Sequence, residues 1–105
     1  MEKKIYKLRY LPLFERDLKD TADYIANTLK NPQAARDLVD AVEEAILKRL
    51  DFPTSFEPYP SLKERPFCYY RIYVKNYIVF YVVIDDTMEV RRLLHKTRDT
   101  ASLLQ

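Results

Sequence analysis

With 105 residues, 48% of them hydrophobic and 32% charged, the chain is one domain's worth of sequence with enough apolar material for a single core. Its longest apolar run, Tyr77 to Ile84, is far short of the roughly 20 residues that span a bilayer, and no apolar stretch of signal-peptide length follows the N-terminal Met-Glu-Lys-Lys-Ile, so the expectation is a cytoplasmic protein with no membrane contact. The net charge is +2; the lone cysteine, Cys68, excludes an internal disulfide, the absence of glycine excludes Gly-rich phosphate loops, and a single histidine excludes two-His metal sites, so no metal and no cofactor are expected.

Tyr6, Leu8 and Tyr10 alternate with Lys7 and Arg9, which reads as a short half-buried strand. Pro12 suits the first turn of a helix, where its missing N–H is no loss. Phe14, Leu18, Ala22, Ile25 and Leu29 then form one apolar stripe, predicting a helix of about five turns. Asn31-Pro32 stops that helix and starts the next, with Asn31 as N-cap and Pro32 as first helical residue. Ala35, Leu38, Val39, Val42, Ile46 and Leu50 make the second stripe, and so short a connection folds the two helices into an antiparallel hairpin whose outer surface carries most of the acids. Pro53, Pro58, Pro60 and Pro66 make the segment from Asp51 to Pro66 irregular.

Three strands follow: Tyr69 to Val74, Tyr77 to Ile84, and Thr87 to Leu94. Lys75-Asn76 is a two-residue turn in which Asn76 is expected to take positive φ, and Asp85-Asp86 is a second turn. The middle strand is apolar throughout, so both its faces are covered. The tail from His95 to Gln105 has the pattern of a short helix through Ala101, Leu103 and Leu104. The order is β-α-α-β-β-β(-α), an α+β fold in which a helical hairpin covers one face of a mainly antiparallel four-stranded sheet, with the first strand added at its edge. Residues 1–105 are read as a single domain.

Charge is unevenly placed. Residues 1–14 carry four bases against one acid, residues 15–51 six against nine, and residues 63–98 eight against four. If both chain ends meet in one sheet, that sheet offers cations to nucleic acid or to an acidic partner. Arg71 in the first meander strand and Arg91, Arg92, His95, Lys96 and Arg98 at the end of the last could hold a phosphodiester. His95 could then move a proton, but from its chemistry alone it reads more readily as a strand-end residue hydrogen-bonded to the backbone. Arg71, near Tyr73, is either a phosphate-binding or stacking residue or an exposed strand residue in a surface ion pair. Strand phase does not resolve this. Glu89, Arg91, Leu93 and His95 share one face of a regular strand and Met88, Val90, Arg92 and Leu94 the other, so each face mixes apolar and cationic residues and a bulge would change the answer.

Three segments in this order resemble the RelE/ParE superfamily of toxins from type II toxin–antitoxin modules. They are the hairpin with Asp17-Leu18, Asp23-Tyr24-Ile25-Ala26, Pro32-Gln33-Ala34-Ala35 and Pro53; the meander from Tyr70-Arg71 through Lys75-Asn76 to Tyr81-Val82-Val83; and the ending Val90-Arg91-Arg92-Leu93-Leu94-His95-Lys96-Thr97-Arg98-Asp99. Lys75 and Lys96 stand where that superfamily often has glycine. The resemblance implies a toxin held inactive by a cognate antitoxin that covers its basic face. Superfamily members of one kind cut mRNA on the ribosome without a metal, by 2′-OH attack; those of the other kind poison DNA gyrase and are not nucleases. In the first case Arg71 and His95 would be catalytic, Lys63, Arg65, Arg91, Lys96 and Arg98 would bind RNA phosphates, and Tyr73 would assist them. The cation cluster tips this reading slightly towards an endoribonuclease. A gyrase poison and a degenerate toxin that only binds its antitoxin are the alternatives.

Overall fold

The structure, a computed structural model, describes residues 4–60, 67–97 and 103–104. The first strand, β1 (Lys7–Tyr10), is followed by helix α1 (Pro12–Asp23), a π-helical turn (Tyr24–Thr28) and helix α2 (Pro32–Arg49). Strands β2 (Tyr70–Val74), β3 (Tyr77–Ile84) and β4 (Thr87–His95) complete a four-stranded sheet in the order β1-β4-β3-β2. The meander strands pair antiparallel and β1 joins β4 in parallel, Leu8 opposite Met88 and Tyr10 opposite Val90. The α+β architecture and the edge position of the first strand are as the sequence implies. No helix among the described residues is long and apolar enough to cross a membrane.

Both helices open as their sequences dictate. Pro12 and Pro32 occupy the first turns, and the Asn31 side chain accepts the Ala34 N–H at 3.1 Å. The first helix differs from the expected five regular turns. After Asp23 it widens, with the Leu29 N–H reaching back to the Tyr24 carbonyl and the Asn31 N–H to that of Ile25. The extra residue per turn rotates the end of the stripe, so Ile25 still packs on the core while Leu29 is exposed. Lys30, at φ 53°, reverses the chain into the Asn31 cap.

The sheet separates two apolar clusters. On the helix side, Phe14, Leu38, Val42 and Ile46 pack on Ile72, Val74, Val79, Tyr81, Met88, Val90 and Leu93. On the other side, Ile78, Phe80, Val82 and Leu94 pack with Tyr69 and Leu104, flanked by Tyr59 and Leu103. The central β3 is therefore covered on both faces, as its unbroken apolar run requires. Leu103 and Leu104 supply the far cover; the rest of the expected C-terminal helix, including Ala101, lies outside the described residues.

Two local features depart from expectation. Positive φ in the β2–β3 turn falls on Lys75, at 53°, and not on Asn76; in the next turn it falls on Asp85, at 55°. With neither turn containing glycine, a residue with a Cβ takes the left-handed region at each, held there by the registers on either side. The second feature is a bulge in β4. Tyr81 pairs with Val90 and Phe80 with Arg92, so Arg91 is the extra residue. Before it, Met88 and Val90 face the helices; after it, Leu93 does. The bulge thus resolves the mixed phase of this strand, sending Leu93 and Leu94 each to an apolar cluster.

Candidate functional site

The cations singled out from the sequence divide between the two faces of the sheet. Ile72 and Val74 belong to the helix-side core, so alternation turns Arg71 and Tyr73 to the opposite side, where Arg71 pairs with Phe80. The Arg71 guanidinium carbon lies 5.3 Å from the Tyr59 ring centroid and 5.8 Å from that of Tyr73, which is 63% exposed. The loop bearing Tyr59 is tied down locally. Its N–H donates to the Tyr69 carbonyl at 2.6 Å, and the Tyr81 hydroxyl donates to the Pro53 carbonyl at 2.7 Å. Arg49, stacked on Phe56, donates to the Tyr81 hydroxyl and to the Arg71 carbonyl.

Arg91 faces the same side but is already engaged. Its Nε meets Glu89 Oε2 at 2.8 Å and its Nη1 the Tyr69 hydroxyl at 3.3 Å, while Arg9 holds the other Glu89 oxygen at 3.2 Å. Glu89 is 5% exposed. Burial pushes its carboxyl upward, but the hydrogen bonds from Arg91 and Arg9 outweigh that and hold it below the ordinary value. This chain of contacts bolts the parallel strand β1 to β4. Arg92 is bound by Asp17 of α1 through Nε at 2.8 Å and Nη2 at 3.2 Å, and its Nη1 donates to the Leu103 carbonyl. Asp17 also accepts the Leu93 N–H at 3.0 Å, where β1 has ended and β4 would otherwise have a bare edge.

His95 lies on the helix side of the sheet. It pairs with Tyr77 and meets that ring edge-on, with centroids 5.2 Å apart. Its Nδ1 accepts the Thr97 N–H at 3.2 Å and is 2.8 Å from the Thr97 hydroxyl. A backbone N–H can only donate, so neutral His95 carries its proton on Nε2. His95 and Tyr77 line a groove of about 460 Å³ with Asp17, Asp20, Thr21 and Tyr24 from the helix side and Arg92 from β4. Burial, with the neighbouring Tyr24 adding to it, raises the Tyr77 phenol above its ordinary value, so it stays protonated at neutral pH. Two carboxylates meet one guanidinium here, and Asp17 already holds that guanidinium.

Arg71 and His95, expected to act together, therefore stand on opposite faces of the sheet. Arg91 and Arg92 are bound by Glu89 and Asp17; Lys96 is exposed just past the strand, its N–H on the Asn76 carbonyl. Lys63, Arg65 and Arg98 lie outside the described residues. Among the described residues, no three His, Cys, Asp or Glu side chains come together as a metal site. Sequence reasoning missed Asp17, Asp20, Tyr24 and Tyr77, whose separation along the chain hides the groove they form. Glu89 left a signal, as an acid between Met88 and Val90 beside three strand-end cations.

A family model described as the ParE toxin of the type II toxin–antitoxin system parDE matches residues 8–100. No curated protein sequence matches the chain. Among solved structures, the chromosomal ParDE toxin–antitoxin system from P. aeruginosa is similar to it, with a TM-score of 0.71 at 14% identity, covering 87% of this chain and 96% of that one. That likeness is one of fold. The RelB–RelE antitoxin–toxin complex from Methanococcus jannaschii matches 84% of this chain and 89% of that one at 25% identity, with a TM-score of 0.46. With the family model matching nearly end to end, the chain belongs to the ParE toxins of type II toxin–antitoxin systems.

Proposed function

We propose that this toxin arrests growth by binding DNA gyrase, with no chemistry of its own, and that a cognate antitoxin neutralises it. The observation that carries this reading is the sheet standing between Arg71 and His95. Cleavage of a phosphodiester by this pair needs the cation at the phosphate and the proton carrier at the attacking or leaving oxygen, within a few ångströms of each other. Here His95 sits instead in a groove where, among the described residues, carboxylates outnumber guanidinium groups, which disfavours a phosphate. The arginines of β4 are occupied by Asp17 and Glu89, and what the other face offers to a partner among the described residues is Arg71 beside the exposed Tyr73.

Ribosome-dependent mRNA cleavage is the second reading, and that same pair favours it, since a tyrosine beside an arginine can stack on unpaired bases. One culture separates the two. Induced expression in a bacterium is followed by mapping mRNA 5′ ends and scoring DNA breaks. The gyrase reading expects breaks and SOS induction with intact mRNA, and growth arrest that survives His95→Ala. New 5′ ends within translated codons, lost on Arg71→Ala or His95→Ala by roughly the 10²–10³-fold typical of a transition-state group, overturn it.

A further inference from the structure

We propose that the groove at the end of β4 is a receptor for an arginine or lysine side chain of the antitoxin, held by the Asp20 carboxylate against the rings of Tyr24 and Tyr77. This proposal rests on the reading that an antitoxin binds the chain, and not on the identity of the target.

The argument begins with how the chain treats its other aromatic faces. Lys4 lies over Tyr6, Arg49 over Phe56 and near Tyr81, Arg71 near Tyr59 and Tyr73, and Arg91 near Tyr69. Repeatedly, an aromatic ring carries a cation from the same chain, the arrangement its negative face attracts. Tyr24 and Tyr77 have no such cation among the described residues. Tyr24 is 52% exposed, so its ring is open to a ligand.

Charge points the same way. Asp17 is fully used, by Arg92 and by the Leu93 N–H. Asp20, one helical turn further on, lines the same groove and has no ion-pair partner among the described residues. Among the described residues, the groove thus keeps a carboxylate with no ion-pair contact, its charge met only at longer range by Lys19, beside two rings that no Lys or Arg covers. An incoming guanidinium or ammonium would gain a charge-assisted hydrogen bond and ring contact together. A phosphate or carboxylate would meet Asp20 with no free Lys or Arg to offset it among the described residues that line the groove.

The setting is built and not incidental. The π-helical turn begins at Tyr24, and such turns re-aim the residues that follow within a helix. Tyr77 is fixed opposite His95 in the ladder, and His95 is held by Thr97 through Nδ1. The groove's volume of about 460 Å³ admits one long side chain with part of its backbone. Of the partners in play, the antitoxin is the one that must remain bound, and a desolvated cation anchor slows dissociation. Such an anchor would act beside whatever part of the antitoxin covers the basic face of the sheet.

The test uses the full-length toxin and its cognate antitoxin, with the dissociation constant read by calorimetry or a biosensor. Asp20→Asn keeps shape and removes charge, and Tyr24→Leu keeps bulk and removes the ring quadrupole. Each is expected to weaken the complex by about tenfold or more, the size of one lost contact to a charged group. Asp20→Glu should recover most of the affinity. In a second arm, the ¹⁵N-labelled toxin is titrated with acetyl-Gly-Arg-Gly-amide and with its citrulline analogue. Millimolar binding of the arginine peptide alone, with shifts centred on Asp20, Tyr24, Tyr77 and His95, supports the proposal. Antitoxin affinities within twofold of the parent, or peptide shifts that are absent or equal for citrulline, overturn it. Failure of the parent toxin to bind the antitoxin at all would instead sink the reading of an antitoxin partner.

Discussion

Replacing Glu89 by glutamine tests whether the ion-paired network, and not apolar packing alone, holds β1 on the sheet. The substitution preserves volume in a position that is 5% exposed, so no cavity enters the result. It removes the charge that Arg91 meets at 2.8 Å and Arg9 at 3.2 Å, and it turns a donor amide toward one of two donors. The Arg91 contact, with a side chain 22% exposed, is the larger part, at about 1.5–3 kcal/mol for a hydrogen bond to a charged group. Arg9 is 65% exposed and adds about 0.2–1 kcal/mol. The expected loss at pH 7 is therefore about 2–4 kcal/mol, roughly 10–20 °C in Tm for a domain of this size. The pH dependence has a definite sign. Folding lowers the Glu89 carboxyl below its ordinary value of 4.5. Its stabilisation is therefore complete above about 4.5 and disappears as pH falls through the lower, folded value. Urea unfolding of parent and variant should show the full gap at pH 7 and a closing gap below about pH 4. A gap under about 0.5 kcal/mol at pH 7, or one that is unchanged in acid, refutes the reasoning.

Two further substitutions follow from the same structure. Asp17→Ala strands Arg92, whose side chain is 17% exposed, and leaves the Leu93 N–H without its acceptor, so a loss of about 2–4 kcal/mol is expected in chemical denaturation; a loss under 1 kcal/mol would show that water replaces the carboxylate without penalty. Lys75→Gly relieves a left-handed backbone at φ 53° in an exposed turn and should raise stability by about 1 kcal/mol; a lower urea midpoint would show that the turn is not strained.

Much of this protein is legible in its sequence because the deciding physics is local. Proline at the first helical turn, an asparagine cap three residues before the N–H it accepts, and apolar spacing of three and four residues fix α1 and α2 whatever lies around them. The eight apolar residues of β3 require cover on both faces, and so predict a central strand before any partner is known. The three segments that resemble RelE/ParE toxins carried the family as well, and a family match over residues 8–100 bears that out.

The tertiary structure decided what sequence spacing leaves open. Alternation could not say which face Arg91, Arg92 and His95 occupy, because one inserted residue in β4 reverses every position after it, and a bulge depends on the partner strand's register. The same limit made Arg71 and His95 look like neighbours, when each strand's phase against the helices sets them on opposite sides of the sheet. The groove of Asp17, Asp20, Tyr24, Tyr77 and His95 brings together residues up to 78 positions apart, and only the docking of α1 on β4 makes them one surface. Local propensity acts over a few residues; a site assembled across a sheet is fixed by register and packing, which no short stretch of the chain contains.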